Sequence, residues 1–161
     1  ERTLTIECIG NPANGPLLST ALWKGTPLFD LLSSLGIVES ATGVRYEGAD
    51  GYYATHTMEQ LKENHILLAV NMNGEPIPAE QGFPVRILNP GFYGAKQPGW
   101  VTSIEIIDRP MKDYYEDQGW DCSPPMPVDS TILFPRDNIS ARLRQPFRIG
   151  GPLSAEPERS G

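Results

Sequence analysis

Cysteine and histidine are scarce in this sequence, and each occurs only twice among the 161 residues. Cys8 and Cys122 lack the paired spacing of a zinc site, and two cysteines over this length are too few for a disulfide-rich secreted scaffold. A single disulfide between them is compatible with the sequence. His56 and His65 stand apart without the spacing of metal ligands, which predicts surface or hydrogen-bonded roles for both.

Positive charge is also in short supply. The chain has 13 Lys and Arg against 20 Asp and Glu, a formal net charge of −7. A nucleic-acid backbone requires a basic patch, so this balance argues against nucleic acid as a partner. A small anionic ligand stays compatible with it, because a few cations in loops suffice to bind an anion within an acidic protein.

Long apolar runs are absent too. No stretch of 18 apolar residues occurs, so the sequence predicts no membrane span. The first residues, Glu1 to Thr3, lead directly into a strand pattern without the charged and apolar regions of a signal peptide. The compartment is therefore left open: periplasmic if the protein is bacterial and exported, and otherwise cytoplasmic.

Glycine and proline, by contrast, are plentiful, with 16 of each. This content favours many short elements joined by defined turns over a helical bundle, and the predicted class is α+β, with mixed sheets and short helices. Strands are predicted within residues 4–8, 44–47, 66–72, 81–88, 100–107, 130–134 and 140–149. Gly94 to Gly99 is predicted to be an exposed loop with one lysine.

The clearest predicted helix begins near Thr26. Thr26 is expected to cap it, Pro27 suits the first helical position, and leucines follow at helical spacing until Gly36 ends it. A second, shorter helix is predicted where Thr57 and Gln60 have the spacing of a capping box.

The amino-acid composition changes after Asp108. Aromatic residues crowd an acidic segment, and prolines then follow within Ser123–Pro127. Proline interrupts central strands and helices, so a boundary is predicted there, with residues 1–122 as the main domain and 123–161 as a linker and a shorter unit.

Cys8 is the most suggestive single residue. Leu4, Ile6 and Cys8 alternate with polar residues, so a strand would carry the cysteine on its apolar face, at the end where Gly10 turns the backbone. A cysteine in such a place is more often a small buried hydrophobe than a ligand, and the pattern alone leaves both interpretations open.

Five ordered blocks of sequence carry a resemblance to a known family. They are Glu7–Asn11, Ser19–Gly25, Met72–Pro76, Gly82–Arg86 and Gly94–Lys96 before Trp100. In this order and spacing they resemble the molybdopterin-binding domain of the sulfite oxidase family, from Leu4 to about Trp120. Similarity continues over residues 128–149, where the family begins an immunoglobulin-like dimerisation domain.

The resemblance implies a molybdenum site. Cys8 would supply the thiolate ligand to molybdenum, whose other sulfur ligands come from the pterin dithiolene, and soft thiolates suit such a metal. Trp120 is the nearest match to a tyrosine that family members place beside the metal, and it is counted with Cys8 as a catalytic candidate. The residues implied to bind the cofactor are Cys8, Asn11, Asp50, Arg86, Ala95, Lys96 and Gln97.

Two of these residues have simpler structural alternatives. Arg86 lies among apolar neighbours and needs a partner, which a structural ion pair would provide as well as a phosphate. Lys96 would otherwise be an ordinary solvated lysine.

The chain also departs from the family. Pro12 and Ala13 stand where sulfite oxidases carry arginines of an anion pocket, Trp120 stands for the tyrosine, Gln81 for a common histidine and Gly99 for a common lysine. The family's domain also has a segment before the cysteine strand, so the resemblance implies that this chain is a fragment.

The function implied by the resemblance is oxygen-atom transfer on a small sulfur oxyanion such as sulfite, with electrons passing to an acceptor such as a cytochrome. A homodimer is implied for the full-length protein. Two alternatives remain: action on another substrate, such as reduction of a neutral sulfoxide, and a cofactor-free binding or structural module that keeps the fold.

Overall fold

The computed structural model describes residues 1–12, 15–121, 125–127, 129–130, 134, 140, 146, 148–151 and 153–154. In chain order the elements are β1 (Arg2–Glu7), β2 (Leu18–Pro27), α1 (Leu28–Leu35), β3 (Gly43–Gly48), β4 (Tyr53–Thr57), α2 (Met58–Glu63), β5 (Leu67–Met72), β6 (Glu75–Pro76), β7 (Arg86–Leu88), β8 (Val101–Ile107), α3 (Tyr114–Asp117), β9 (Asp129–Ser130) and β10 (Leu153–Ser154). Single 3-10 turns cover Ala79–Gln81 and Gly94–Lys96.

The larger sheet has five antiparallel strands. Its order is β1-β2-β5-β6, and β7 pairs with the other end of β5. Trp23, Leu67 and Leu88 belong to the apolar cluster on this sheet, and Leu4 and Ile6 of β1 pack against it. The alternation read from the sequence of β1 is therefore confirmed for these two residues.

The second sheet has three antiparallel strands in the order β4-β3-β8. Leu28 and Leu32 of α1, Leu61 of α2, and Val44 and Tyr46 of β3 form its buried core. Short helices over antiparallel sheets confirm the α+β class. None of the helices in the described part of the chain has the length and apolar character needed to cross a membrane.

The two predicted helices are confirmed, with one correction to their caps. Gly36 ends α1 in the left-handed conformation, at φ 87°, and Thr57 and Gln60 form the capping box of α2. Thr26 does not cap α1, because it is still paired in β2, and Pro27 occupies the N-cap position without a side-chain hydrogen bond.

The longest strand, β2, has no counterpart among the predicted elements. Ala21 and Trp23 face the core, but Leu22 between them is 41% exposed on the opposite face. Apolar residues on both faces remove the alternation by which a half-buried strand is recognised. Its pairing with both β1 and β5 was available only from the tertiary structure.

The predicted boundary between residues 122 and 123 lies outside the described residues and stays a prediction. Beyond it, the structure describes the short pair β9 and β10 and a single bridge between Phe134 and Gly150. Met126 is buried, and its N–H donates to the Gly91 carbonyl oxygen at 2.7 Å. Of the strands predicted at residues 130–134 and 140–149, residues 131–133, 141–145 and 147 lie outside the described residues, and the described residues 140, 146, 148 and 149 are not in a strand.

Candidate functional site

Cys8 lies directly after β1 and is exposed, with a free thiol. Its N–H donates to the Leu17 carbonyl oxygen at 3.0 Å, which closes the loop that follows. The expectation that Cys8 lies on the apolar face is wrong, because the strand ends one residue earlier and Glu7 is the buried residue at its end. A buried, inert cysteine is thereby excluded.

Asn11 holds the loop around Cys8. Its side-chain amide donates to Glu7 Oε1 at 3.0 Å, and its side-chain oxygen accepts from Leu17 N–H at 2.9 Å. The Asn11 N–H also donates to the Cys8 carbonyl oxygen at 2.9 Å. Asn11 therefore shapes the backbone that presents the thiol.

The 3-10 turn Gly94–Lys96 lies against the end of β1. A methyl group on Gly94 would come within 3.4 Å of Ile6 Cγ2 and 3.5 Å of the Glu7 carbonyl oxygen, one residue before Cys8. The next residue, Ala95, accepts a hydrogen bond from the Tyr52 hydroxyl at 2.6 Å. The fold thus brings two of the five sequence blocks, Glu7–Asn11 and Gly94–Lys96, to one place, with Tyr52 beside them.

The segment containing this turn is not the exposed loop that the sequence predicts. Lys96, Gln97 and Pro98 are buried, and Gln97 Nε2 donates to the Phe92 carbonyl oxygen at 2.7 Å. Lys96 is 4% exposed, so the alternative of a solvated lysine is wrong. Its ammonium forms an ion pair with Asp113 and lies 3.6 Å from Glu116 Oε1.

Arg86 is the contrasting cation. It begins β7, its Nη1 donates to the Gln81 carbonyl oxygen at 2.9 Å, and its guanidinium carbon lies 5.9 Å from the Trp23 ring centre. No carboxylate of the described residues forms an ion pair with it, so the structural ion pair considered from the sequence is not found there. Burial lowers the pKa of Arg86.

Two buried donors beside each other lack acceptors among the described residues. They are Arg86 Nε and Trp23 Nε1. A buried donor without an acceptor costs free energy, so this end of the sheet is suited to a ligand that accepts hydrogen bonds. Trp23 was missed as a site candidate, since its sequence signal is that of a core aromatic residue.

Asp50 lies in the exposed hairpin between β3 and β4. Its Oδ1 accepts from Tyr52 N–H at 3.1 Å, and a methyl group on Gly48 would lie 2.5 Å from that oxygen. Asp50 is linked through Tyr52 to Ala95, and so to the turn beside Cys8.

Trp120 belongs to a cluster of five aromatic rings, three of which are exposed. Its ring is 55% exposed and meets Tyr115 at 6.3 Å, and Tyr115 in turn lies 5.7 Å from Tyr52. The cluster consists of Tyr52, Tyr53, Tyr114, Tyr115 and Trp120. Trp120 is thus connected to the turn beside Cys8 through two tyrosines.

The expectation of a surface role for His56 is corrected by its burial, with 2% of its surface exposed. Burial, and then the charge of Lys96, lower the pKa of His56 to about 3. Its ring packs edge-on against Tyr46, whose buried hydroxyl lacks a hydrogen-bond partner among the described residues. Burial, followed by the charge of Asp113, raises the pKa of Tyr46.

The residues around Cys8 fit a metal whose other ligands come from a cofactor. Among the residues described, no group of three or more His, Cys, Asp or Glu side chains is placed to hold a metal ion. A metal bound to the Cys8 thiolate would therefore need ligands from a cofactor, and a pterin dithiolene supplies sulfur donors of the same soft character. The unpaired Arg86 guanidinium suits a phosphate on such a cofactor.

Comparison with protein families agrees with this fit. Residues 1–115 match the family described as the oxidoreductase molybdopterin binding domain. The match contains Cys8, Asp50, Arg86 and the 94–97 segment, whereas Trp120 lies beyond its end.

Comparison with individual proteins finds nitrate reductases and sulfite oxidases among the relatives, and a similar solved structure is that of a sulfane dehydrogenase. An inducible nitrate reductase of Glycine max is 32% identical, over 71% of this chain and 14% of that protein. The mitochondrial sulfite oxidase of Homo sapiens is 30% identical, over 85% of this chain and 33% of that protein. The sulfane dehydrogenase SoxCD of Paracoccus pantotrophus superposes with a TM-score of 0.61 at 25% identity, covering 67% of this chain and 31% of that one.

Proposed function

This chain belongs to the oxidoreductase molybdopterin binding domain family, and we propose that it binds a molybdenum cofactor through Cys8 as part of an oxidoreductase. The observation that carries the proposal is the exposed, free Cys8 thiol at the end of β1. A metal ligand must be deprotonated and accessible, and an exposed thiol meets both needs more readily than a buried one.

Arg86 is the proposed ligand of the cofactor's phosphate. Its guanidinium has free donor capacity at Nε and no carboxylate partner among the described residues. A phosphate would provide the counter-charge and accept these hydrogen bonds. Trp23 Nε1 is a second donor with no acceptor in the described structure, and the ring centre of Trp23 lies 5.9 Å from the Arg86 guanidinium carbon.

The remaining predicted residues act through the backbone they hold. Asn11 fixes the loop after Cys8, Asp50 fixes the hairpin that carries Tyr52, and Gln97 ties the end of the 94–96 turn to Phe92. Ala95 links that turn to Tyr52. These contacts shape the walls of the site before a cofactor enters, which lowers the ordering cost of binding.

The bound cofactor would supply two-electron chemistry and oxygen-atom transfer, and the protein would orient the substrate and exclude water. The proposed substrate is a small sulfur oxyanion such as sulfite, which gains one oxygen from water and gives up two electrons and two protons on forming sulfate. Two of the similar proteins are named for sulfur substrates, a sulfite oxidase and a sulfane dehydrogenase.

Reduction of a sulfoxide is the alternative function, and the loop after Cys8 and the aromatic cluster around Trp120 favour it. Pro12 follows Asn11 in the loop after Cys8, and the exposed ring of Trp120 belongs to the aromatic cluster. A neutral sulfoxide needs no cationic pocket and packs well on aromatic rings. In this direction the substrate accepts two electrons and two protons and releases its oxygen as water.

Partners are proposed for the full-length protein. The chain spans 14% of the nitrate reductase and 33% of the sulfite oxidase, so additional parts of such proteins lie beyond this match. We propose an electron carrier such as a cytochrome as the redox partner, and a homodimer as the assembled state.

Metal analysis of the purified chain tests the role of Cys8. Protein from a host that makes the cofactor should contain about one molybdenum per chain, and Cys8→Ala should reduce this at least about tenfold, because the proposed thiolate ligand is removed. Cys122→Ala is the matched control and should retain the metal. Metal-free parent protein would favour the cofactor-free module, and metal retained by Cys8→Ala would exclude the thiolate ligand.

A turnover assay on the full-length protein separates the two substrate classes. Sulfite-dependent reduction of a dye acceptor supports the oxyanion, whereas oxidation of a reduced dye that depends on a methyl sulfoxide supports the alternative. The Cys8→Ala protein measures the background of both assays.

A further inference from the structure

We propose that Lys96 is a positioning residue: its buried ammonium holds the aromatic segment Tyr114–Trp120 beside the turn that adjoins Cys8. The sequence suggests a phosphate-binding cation at this position, but the ammonium is already neutralised inside the protein. The importance of the segment for catalysis rests on the proposed function, whereas the positioning itself rests on the contacts below.

Lys96 and Asp113 join two segments that are otherwise separate in the chain. The two side chains are 6% and 1% exposed, and they form a direct ion pair. Asp113 immediately precedes α3, and Glu116 within α3 lies 3.6 Å from the same ammonium. The ammonium of Lys96 thus neutralises Asp113, just before α3, and Glu116 within it.

Asp113 is also fastened to β4. Its Oδ1 accepts from the Thr55 N–H at 2.5 Å and from the Thr55 hydroxyl at 2.7 Å. The Asp113 N–H donates to Glu116 Oε2 at 2.8 Å, which fixes the first turn of α3. A carboxylate held by an ammonium and two hydrogen bonds has one defined orientation, and α3 begins from it.

The aromatic rings follow directly from this anchored start. Tyr114 lies 5.4 Å from Tyr52 and 5.6 Å from Tyr53, and Tyr115 lies 5.4 Å from Tyr114. The Trp120 N–H donates to the Tyr115 carbonyl oxygen at 2.9 Å. Tyr114, Tyr115 and Trp120 are more than a third exposed, so their mutual contacts alone are weak compared with the buried ion pair.

Lys96 lies at the junction of this segment and the cysteine strand. It ends the same 3-10 turn whose first residue, Gly94, packs against Ile6 and the Glu7 carbonyl oxygen. Movement of Lys96 would therefore shift the aromatic segment relative to the end of β1. No other cation of the described residues forms an ion pair with Asp113.

Hydrogen exchange on the whole chain tests the proposal. Lys96→Met should raise amide exchange in residues 109–121 by about tenfold or more, while exchange in β5 of the other sheet changes much less. Lys96→Arg keeps the charge and should restore most of the protection. The exposed Lys24→Met is the matched control and should leave residues 109–121 unchanged.

The double variant Lys96→Met with Asp113→Asn covers the case in which Lys96→Met does not fold. It removes the unpaired carboxylate, and it should still show increased exchange in residues 109–121. Near-ultraviolet circular dichroism should show a weaker aromatic signal in both variants, with recovery in Lys96→Arg.

Unchanged exchange in residues 109–121 would overturn the proposal, and so would an equal rise in β5, which indicates general destabilisation. Loss of molybdenum from Lys96→Met with unchanged exchange would instead indicate direct contact with the cofactor, and also overturns it. Absence of molybdenum from the parent protein would count against the proposed function, and the exchange experiment would still decide the role of Lys96.

Discussion

Arg86 and Lys96 are two basic residues of one domain with opposite surroundings. Lys96 is buried with two carboxylates, whereas Arg86 is half-buried with a carbonyl oxygen, an aromatic ring and a buried Nε that lacks a partner in the described structure. A buried cation without a counter-charge is unfavourable unless a ligand completes it. The difference indicates that Lys96 serves the fold and that Arg86 is available to a ligand.

The largest expected effect on stability comes from disrupting the buried ion pair of Lys96. Asp113→Asn keeps the acceptor for Thr55 but removes the charge, which leaves Lys96 buried with only Glu116 at 3.6 Å. Loss of one partner from a buried ion pair costs about 3–5 kcal/mol, so the free energy of unfolding in urea should fall by this order.

Asp108→Asn is the matched control for the Asp113→Asn substitution. Asp108 and Arg109 form an ion pair at 3.9 Å with side chains 71% and 78% exposed, and its removal should change stability by no more than about 0.5 kcal/mol. If the two substitutions lowered the free energy of unfolding equally, the Lys96–Asp113 ion pair would not be the structural element inferred here.

A second prediction concerns His56, whose pKa is lowered first by burial and then by the charge of Lys96. The pKa of His56 in the folded protein is about 3, below its ordinary value, so the unfolded chain binds the proton first as the pH falls. Stability is therefore fully present above about pH 6.5 and is lost progressively as the pH falls toward 3, by up to roughly 1.4 kcal/mol per pH unit.

His56→Phe should flatten this part of the pH profile, because phenylalanine keeps the ring contact with Tyr46 and binds no proton. Urea unfolding at several pH values between 7 and 4 measures it. His65→Asn removes an exposed histidine at a positive φ that asparagine tolerates, and should leave the profile as in the parent. An unchanged slope in His56→Phe would assign the acid sensitivity to other groups.

The same comparison explains how much the sequence predicts. Local signals identified α1, the Thr57 capping box and the β1 pattern, because caps and periodicity are properties of neighbouring residues. The resemblance also indicated the family that the comparisons confirm. Lys96 was misjudged as exposed since its partner Asp113 is distant in sequence, and β2 was missed because Leu22 hides its alternation.

The smallest expected change in stability concerns Arg86, and it is the sharpest test of the comparison. Arg86→Met breaks no ion pair of the described structure, and loss of the hydrogen bond to Gln81 is offset by removal of a poorly solvated charge. The free energy of unfolding should therefore change by no more than about 1 kcal/mol.

Anion binding should respond far more strongly to Arg86→Met. If the Arg86 guanidinium binds phosphate groups, pyrophosphate at about ten times its dissociation constant should stabilise the cofactor-free parent protein by about 1.4 kcal/mol. This stabilisation should be absent in Arg86→Met. Arg109→Met, at an exposed arginine, should keep it. A fall of several kcal/mol in the free energy of unfolding of Arg86→Met would show that Arg86 has a structural partner. Undiminished stabilisation of the variant by pyrophosphate would show that the anion binds elsewhere. Either result would remove the contrast between Arg86 and Lys96.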